Sequence, residues 1–155
     1  MERNGAGLVL LEGIPFTGTQ VKHEGDQLIE RSRFVAGLRH GLTERWYPNG
    51  MLSYRATYLE GRRHGTVETW WAEGGRRAEA HYEFGIADGI QREWYRSGAP
   101  FKELHLVNGR EYGLQRAWRE NGALYANYEA RDGRIFGLKR ANLCYELDGE
   151  QLVIQ

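Results

Sequence analysis

The groups of this chain best able to hold a metal or move a proton are five histidines, one cysteine and a plentiful set of carboxylates. His81 and His105 stand 24 residues apart, matching positions if the chain is built of repeats. In a hairpin array such positions lie two strands apart, about 9.5 Å, too far for two imidazoles to share a zinc ion. His40 and His64 each follow an arginine and precede a glycine, so they read as loop residues. Cys144 alone forms neither an internal disulfide nor a multi-cysteine zinc site. No carboxylate pair is singled out for acid–base work. The chain also lacks a nucleophile elbow, a phosphate-cradling glycine loop and a cysteine–histidine motif. The expectation is therefore a chain with no catalytic residue, no metal and no cofactor.

Residues suited to recognition are better ordered. Gly18, Gly41, Gly65, Gly89, Gly113 and Gly137 recur every 23 or 24 residues. Trp46, Trp70, Trp94 and Trp118 each follow one of these glycines by five residues. Gly50, Gly74, Gly98 and Gly122 follow by nine, and Gly61, Gly85, Gly109 and Gly133 by twenty. Such self-similarity signals a repeat architecture. The segments Gly41-Leu42-Thr43-Glu44-Arg45-Trp46-Tyr47-Pro48-Asn49-Gly50 and Tyr58-Leu59-Glu60-Gly61-Arg62-Arg63-His64-Gly65 resemble the MORN repeat. They resemble most closely the bacterial MORN repeat variant found in proteins often labelled antitoxin components. The resemblance covers about residues 13–140 and implies an interaction module, with an antitoxin or immunity role against a toxic partner as the alternative. Lipid or carbohydrate surface binding is a further one, because eukaryotic relatives of the repeat have been linked to lipid head groups.

The elements that carry these columns must be strands and turns. High glycine, many aromatics and few prolines fit short strands joined tightly. Tyr47-Pro48-Asn49-Gly50 has the residues of a type I turn closed by a left-handed glycine. Val107-Asn108-Gly109 and Arg131-Asp132-Gly133 offer a similar turn between repeats. The predicted fold is all-β, an elongated single-layer antiparallel meander of β-hairpin repeats. The organisation is one domain, with an N-terminal cap 1–17, repeats 18–40, 41–64, 65–88, 89–112 and 113–136, and a partial capping repeat 137–155. His23 and Asn142 replace the tryptophan in the terminal repeats, as capping units require. Asp148-Gly149 offers a late turn, and Leu152, Val153 and Ile154 could then cover the last edge.

A three-residue loop after Tyr47 pairs residue 46 with 52, 44 with 54 and 42 with 56. That register gathers Leu42, Trp46, Leu52, Tyr54, Ala56 and Tyr58 on one face. The same reading puts Ala78, Ala80 and Tyr82 with Trp70, Leu104 and Leu106 with Trp94, and Ala126 and Tyr128 with Trp118. Arg55, Thr57, Glu79, Glu103 and Asn127 would lie on a polar opposite face.

Three columns are candidates for partner binding. The tryptophans Trp46, Trp70, Trp94 and Trp118 are an aromatic stripe, which packs repeat on repeat or meets a partner. Glu44, Glu68, Arg92 and Arg116 lie on the same side, where they snorkel, pair across strands or form a groove acidic at one end and basic at the other. Tyr47, Trp71 and Tyr95 form a second aromatic column near the turns, broken at Arg119.

Charge narrows the partners. Lys+Arg and Asp+Glu number 21 each, so nothing draws the chain to nucleic acid or to an anionic membrane. A protein or peptide is the expected partner, and an edge-to-edge homodimer is open to any sheet with unpaired end strands. No apolar run is long enough to span a bilayer and the start is no signal peptide. This favours a cytoplasmic chain, an exported one with its leader removed being the alternative.

Overall fold

The computed structural model describes residues 1–5 and 7–137 in full, together with the backbone of 138, 145–148 and 151–154. Asn142 and Cys144, and the side chains of Leu152, Val153 and Ile154, lie outside the described residues. All secondary structure within them is strand. The N-terminal strands are β1 (Glu2–Arg3), β2 (Val9–Leu11) and β3 (Ile14–Pro15). Next come β4 (Gly18–Glu24), β5 (Gln27–Val35), β6 (Leu38–Trp46), β7 (Leu52–Leu59), β8 (Arg62–Trp70) and β9 (Arg76–Glu83). They are followed by β10 (Ile86–Ala87), β11 (Gly89–Trp94), β12 (Pro100–Val107), β13 (Arg110–Glu111), β14 (Gly113–Trp118), β15 (Leu124–Arg131) and β16 (Arg134–Leu138). The last two are β17 (Tyr145–Asp148) and β18 (Gln151–Ile154), which pair with each other. Strands β4 to β16 form a single antiparallel meander whose edge strands are β4 and β16. The sheet is not closed into a barrel, as the sequence led us to expect.

Two kinds of connection alternate. At one end, Tyr47 and Gly50 close the expected turn: the Gly50 N–H donates to the Tyr47 carbonyl at 2.9 Å and the Tyr47 N–H to that of Met51 at 2.8 Å. The same pair of bonds recurs at Trp71, Tyr95 and Arg119. At the other end the turns differ from that grammar. They are two-residue tips with both central residues at positive φ, the type I′ geometry that suits the twist of a hairpin. Their first residues are Glu12, Ala36, Glu60, Phe84, Asn108 and Asp132, 24 apart throughout, each followed by a glycine. The tip at Glu12-Gly13 shows that the segment before Gly18 contains the end of a further hairpin. Each tip glycine from 37 to 109 also donates its N–H to the preceding unit: Gly37 to Phe16, Gly61 to Arg39, Gly85 to Arg63 and Gly109 to Ala87, at 2.7 to 2.8 Å.

The faces depart from expectation. Trp46 does oppose Leu52, but the register then shifts, and Arg45 opposes Tyr54. One extra residue, a β-bulge, enters just after every long turn: Ser53, Arg77, Phe101 and Tyr125. A single extra residue moves the rest of the strand to the other side of the sheet. The expected pairs of 44 with 54 and 42 with 56 are therefore not formed; Glu44 opposes Arg55 and Leu42 opposes Thr57. Tyr54, Ala56 and Tyr58 lie opposite Trp46, and so do the corresponding Ala78, Ala80, Tyr82, Leu104, Leu106, Ala126 and Tyr128. Arg55, Thr57, Glu79, Glu103 and Asn127 join the tryptophan side instead.

The bulged register has a physical return on both faces. On the tyrosine face it lines up Ser32, Thr43, Ala56 and Val67 as successive cross-strand neighbours, all buried. Ala56 is fully covered because Tyr54 and Tyr58 flank it on the same strand and their hydroxyls meet at 2.9 Å. This desolvation and mutual hydrogen bonding push the Tyr54 phenol up to about 12. A small residue in the row thus lets larger neighbours roof it, the substitute for a second layer.

Candidate functional site

On the tryptophan face the register brings charges of opposite sign together. Arg31, Glu44, Arg55 and Glu68 are consecutive cross-strand partners, followed by Glu79, Arg92, Glu103 and Arg116. The ion pairs run Arg31–Glu44 at 2.5 Å, Arg55–Glu44 at 3.5 Å and Arg55–Glu68 at 3.8 Å. Arg76 bridges the two neighbouring acids Glu68 and Glu79. The ladder resumes with Arg92–Glu79 at 3.8 Å, Arg92–Glu103 at 3.0 Å and Arg116–Glu103 at 2.6 Å. Hydrogen bonding from Arg116 leads the causes that hold the Glu103 carboxyl below the usual range.

Arginine guanidiniums also lie over the rings of Trp46, Trp70 and Trp118, at 5.4 to 5.7 Å. The column Glu44, Glu68, Arg92 and Arg116 is therefore one half of a self-compensated ladder. It does not make a groove acidic at one end and basic at the other, because each acid in it lies between arginines.

The tyrosine face is different in its two halves. Its row nearest the long turns carries Lys22, Glu30, Arg45 and Tyr54 in the N-terminal half. Glu30 accepts from Arg39 at 3.0 Å, Arg45 at 3.2 Å and Ser32 at 3.0 Å, and Arg45 lies over the Tyr54 ring. Burial alone would raise the Glu30 carboxyl, but Ser32 and the cations outweigh it and hold it low. These side chains fill the face. Further along, the same row carries Thr69, Ala78, Glu93 and Lys102, then Ala117 and Ala126. Along this stretch the face opens in a hollow beside Trp71.

That hollow is an open cleft of about 440 Å³ lined by Trp71, Arg77, Tyr95, Arg96, Phe101 and Glu120, among others. Tyr95 and Phe101 form one wall, with ring centroids 5.0 Å apart and planes tilted by 57°. A smaller hollow of about 230 Å³ adjoins it across Phe101 and reaches Tyr125 and Tyr128. Tyr128 donates to Glu111 at 2.9 Å, and its phenol is pushed up to about 12 by burial and that contact. Desolvation, with Tyr125 and Glu120 nearby, pushes the Tyr95 phenol up as well.

Of the second aromatic column, Trp71 and Tyr95 thus meet in one cleft, whereas Tyr47 lies outside it. Phe101, Arg77 and Tyr125 were missed by sequence reasoning because they are the bulge residues. A bulge turns two consecutive side chains to one face, which strict alternation hides.

The four hairpins β6–β7, β8–β9, β11–β12 and β14–β15 have the same parts: a tip, a glycine in the first strand, a tryptophan, a glycine-closed turn and a bulge. Residues 39–60 match the family model described as the MORN repeat variant. The matched segment comprises most of β6, the Tyr47–Gly50 turn and β7, one such MORN-type hairpin. No curated protein matches the chain. Among the described residues no group of three or more His, Cys, Asp or Glu is placed to hold a metal ion. His105 instead packs against Tyr112, and its backbone is held by Gln115.

Proposed function

We propose that this chain is a non-catalytic interaction module whose MORN-type hairpins present the Trp71–Phe101 cleft to a protein or peptide partner. The observation that carries this reading is the cleft itself: aromatic walls left open on a sheet over which the described residues pack no second layer. Concave, mostly apolar hollows with a few polar groups are the usual places for a ligand, and buried aromatics and arginines dominate binding energy at interfaces. The tryptophan face supports the reading from the other side. Its charged groups are paired with one another across the strands, Arg76 serving the adjacent acids Glu68 and Glu79, which suits a supporting surface better than a reacting centre.

Affinity capture from the native host with tagged protein tests the proposal, beside a Tyr95→Ala/Phe101→Ala variant shown folded by circular dichroism. A stoichiometric partner held by the parent protein and lost by the variant is the expected result. A partner retained equally by both would move the site off the cleft. Capture of no protein at all would overturn the protein-binding reading in favour of a small ligand.

A further inference from the structure

Tyr47, Trp71 and Tyr95 occupy the same place in three successive hairpins, but they do not do the same work. The Tyr47 hydroxyl donates to the Trp70 carbonyl and the Tyr95 hydroxyl to the Trp118 carbonyl, each at 2.8 Å. Both therefore fasten a turn to the next unit. Trp71 stands between them, and its indole N–H is buried with no acceptor among the described residues. An unmade buried donor is costly and rare in native proteins. Trp71 lines the cleft of about 440 Å³, and an acceptor reaches its covered N–H only as the side chains over it give way.

The surroundings of that N–H are cationic. The guanidiniums of Arg77 and Arg96 lie over the Trp71 ring, 4.8 and 5.0 Å from its centroid. Arg77 has no carboxylate partner among the described residues. Its neighbour Arg76 faces the other side and takes Glu68 and Glu79, while the bulge turns Arg77 into the cleft. Glu93 is within reach of Lys102 at 3.8 Å. Arg96 pairs with Glu73 at 2.9 Å, but both side chains are about two-thirds exposed, so that pair is weak and exchangeable. Glu93, paired with Lys102, and Glu120 also line the cleft, so its cationic part is the Trp71 end, where one neutral donor and the guanidiniums of Arg77 and Arg96 gather. The guanidiniums cover the Trp71 indole surface on which a sugar would stack, so the ring surfaces left to a ligand are those of Tyr95 and Phe101, with Trp94 also lining the cleft.

Resting on the function proposed above, we infer that the cleft receives an acidic peptide. A carboxylate side chain of the partner accepts from the Trp71 N–H, Arg77 and Arg96, and an aromatic or aliphatic side chain on the same side of that peptide packs on Tyr95 and Phe101. Bidentate acceptance by arginine gives such a carboxylate both strength and orientation. Glu120, at the Tyr95 end and without a cation partner among the described residues, repels a second acid there and fixes the direction of the peptide.

Panning a random linear dodecapeptide display library on the full chain tests this. Dissociation constants of the enriched peptides would then be measured on the parent protein and on Trp71→Phe, Arg77→Glu and Tyr95→Ala/Phe101→Ala. All variants would first be checked by thermal melting. The expected winners carry Asp or Glu near an aromatic or aliphatic residue. Their affinity should fall at least tenfold on Arg77→Glu and several-fold on Trp71→Phe, which keeps a ring but removes the donor. Panning on Arg77→Glu should enrich lysine or arginine at the acid's position. Winners without an acid, or indifferent to both Trp71→Phe and Arg77→Glu, would overturn the acidic-peptide inference while leaving the interaction module standing if they still need Tyr95 and Phe101. Winners indifferent to all three variants would overturn both readings of the cleft. An absence of any winner would overturn the peptide inference and leave the module to the capture experiment.

Discussion

The two halves of the tyrosine face share one backbone plan and end as different surfaces. In the N-terminal half, Glu30, Arg39 and Arg45 arch over Ser32 and Thr43, and Tyr54 and Tyr58 close over Ala56. In the C-terminal half, Thr69 and Ala78 stand where Arg45 and Tyr54 stood, and the face opens into the cleft. The strands differ as well. β6 and β8 run unbroken for nine residues each, whereas their counterparts split into β10 with β11 and β13 with β14. At the second break Gln115 is fully buried and gathers the loosened backbone: it accepts from the His105 N–H and donates to the carbonyls of His105, Tyr112 and Gly113. Thr43 fills the matching place in β6, where its hydroxyl is buried without a partner. A repeat array can therefore hold its fold constant and vary side-chain volume along one row to decide where a surface is closed and where it receives something.

The largest break in this contrast should come from Glu30→Ala, which leaves the mostly buried Arg39 without its carboxylate. Removing one partner of a buried ion pair costs about 3 kcal/mol, readable as a lower urea midpoint. A cost below about 1 kcal/mol would mean that the arch over Ser32 and Thr43 is decorative. Gln115→Ala strands a donor and several carbonyls in the C-terminal half and should cost about 2 kcal/mol in the same assay. Thr43→Val, at the matching position, should be neutral or stabilise by up to about 1 kcal/mol, since it removes a hydroxyl that bonds to nothing. If both substitutions cost the same, the two halves are not held in different ways.

Phe84→Asn should raise the melting temperature by a few degrees. Phe84 sits at a tip with φ of 47°, a left-handed conformation that asparagine tolerates and a bulky residue does not, though its ring contact with His64 is forfeited.

The smallest effect is on pH. Glu30 and Glu103, one in each half of the chain, both have carboxyls held low in the fold. Their stabilisation is complete above the unfolded carboxylate range and is lost as pH falls through the lowered folded values. Glu30→Gln or Glu103→Gln should each flatten the fall in stability below about pH 4.5. Tyr54 has the opposite sign: raised to about 12, its contribution holds up to about pH 10 and is lost above it, an alkaline sensitivity that Tyr54→Phe should remove.

Much of this was readable before the structure. The glycine and tryptophan columns announce the hairpins, and Pro48-Asn49-Gly50 announces the long turn. What strict alternation hid was the bulge. Ser53, Arg77, Phe101 and Tyr125 share no chemistry, so nothing in their types marks them as extra residues. A facing-strand charge test would have shown that the plain three-residue-loop register fails, because Glu44 meets Arg55, and Arg92 meets Glu103, only when it slips by one. The tip at Glu12-Gly13 was equally legible, lying 24 residues before Ala36-Gly37, but Glu12 has none of the usual turn character of asparagine or aspartate. The cleft was half visible. Trp71 and Tyr95 stood out as aromatics near the turns, while Arg77 and Phe101 depend on the bulge for their direction.

The bonds from the tip glycines Gly37, Gly61, Gly85 and Gly109 to the unit before each all point the same way along the chain. A hairpin leaving the ribosome therefore finds its acceptor already in place, at Phe16 for the tip of Gly37 and at Arg39 for that of Gly61. No strand of the meander has to wait for one made much later. The polypeptide can set in order as it is synthesised, each unit serving as the template for the next, and the growing end is the only part left unfinished at any moment.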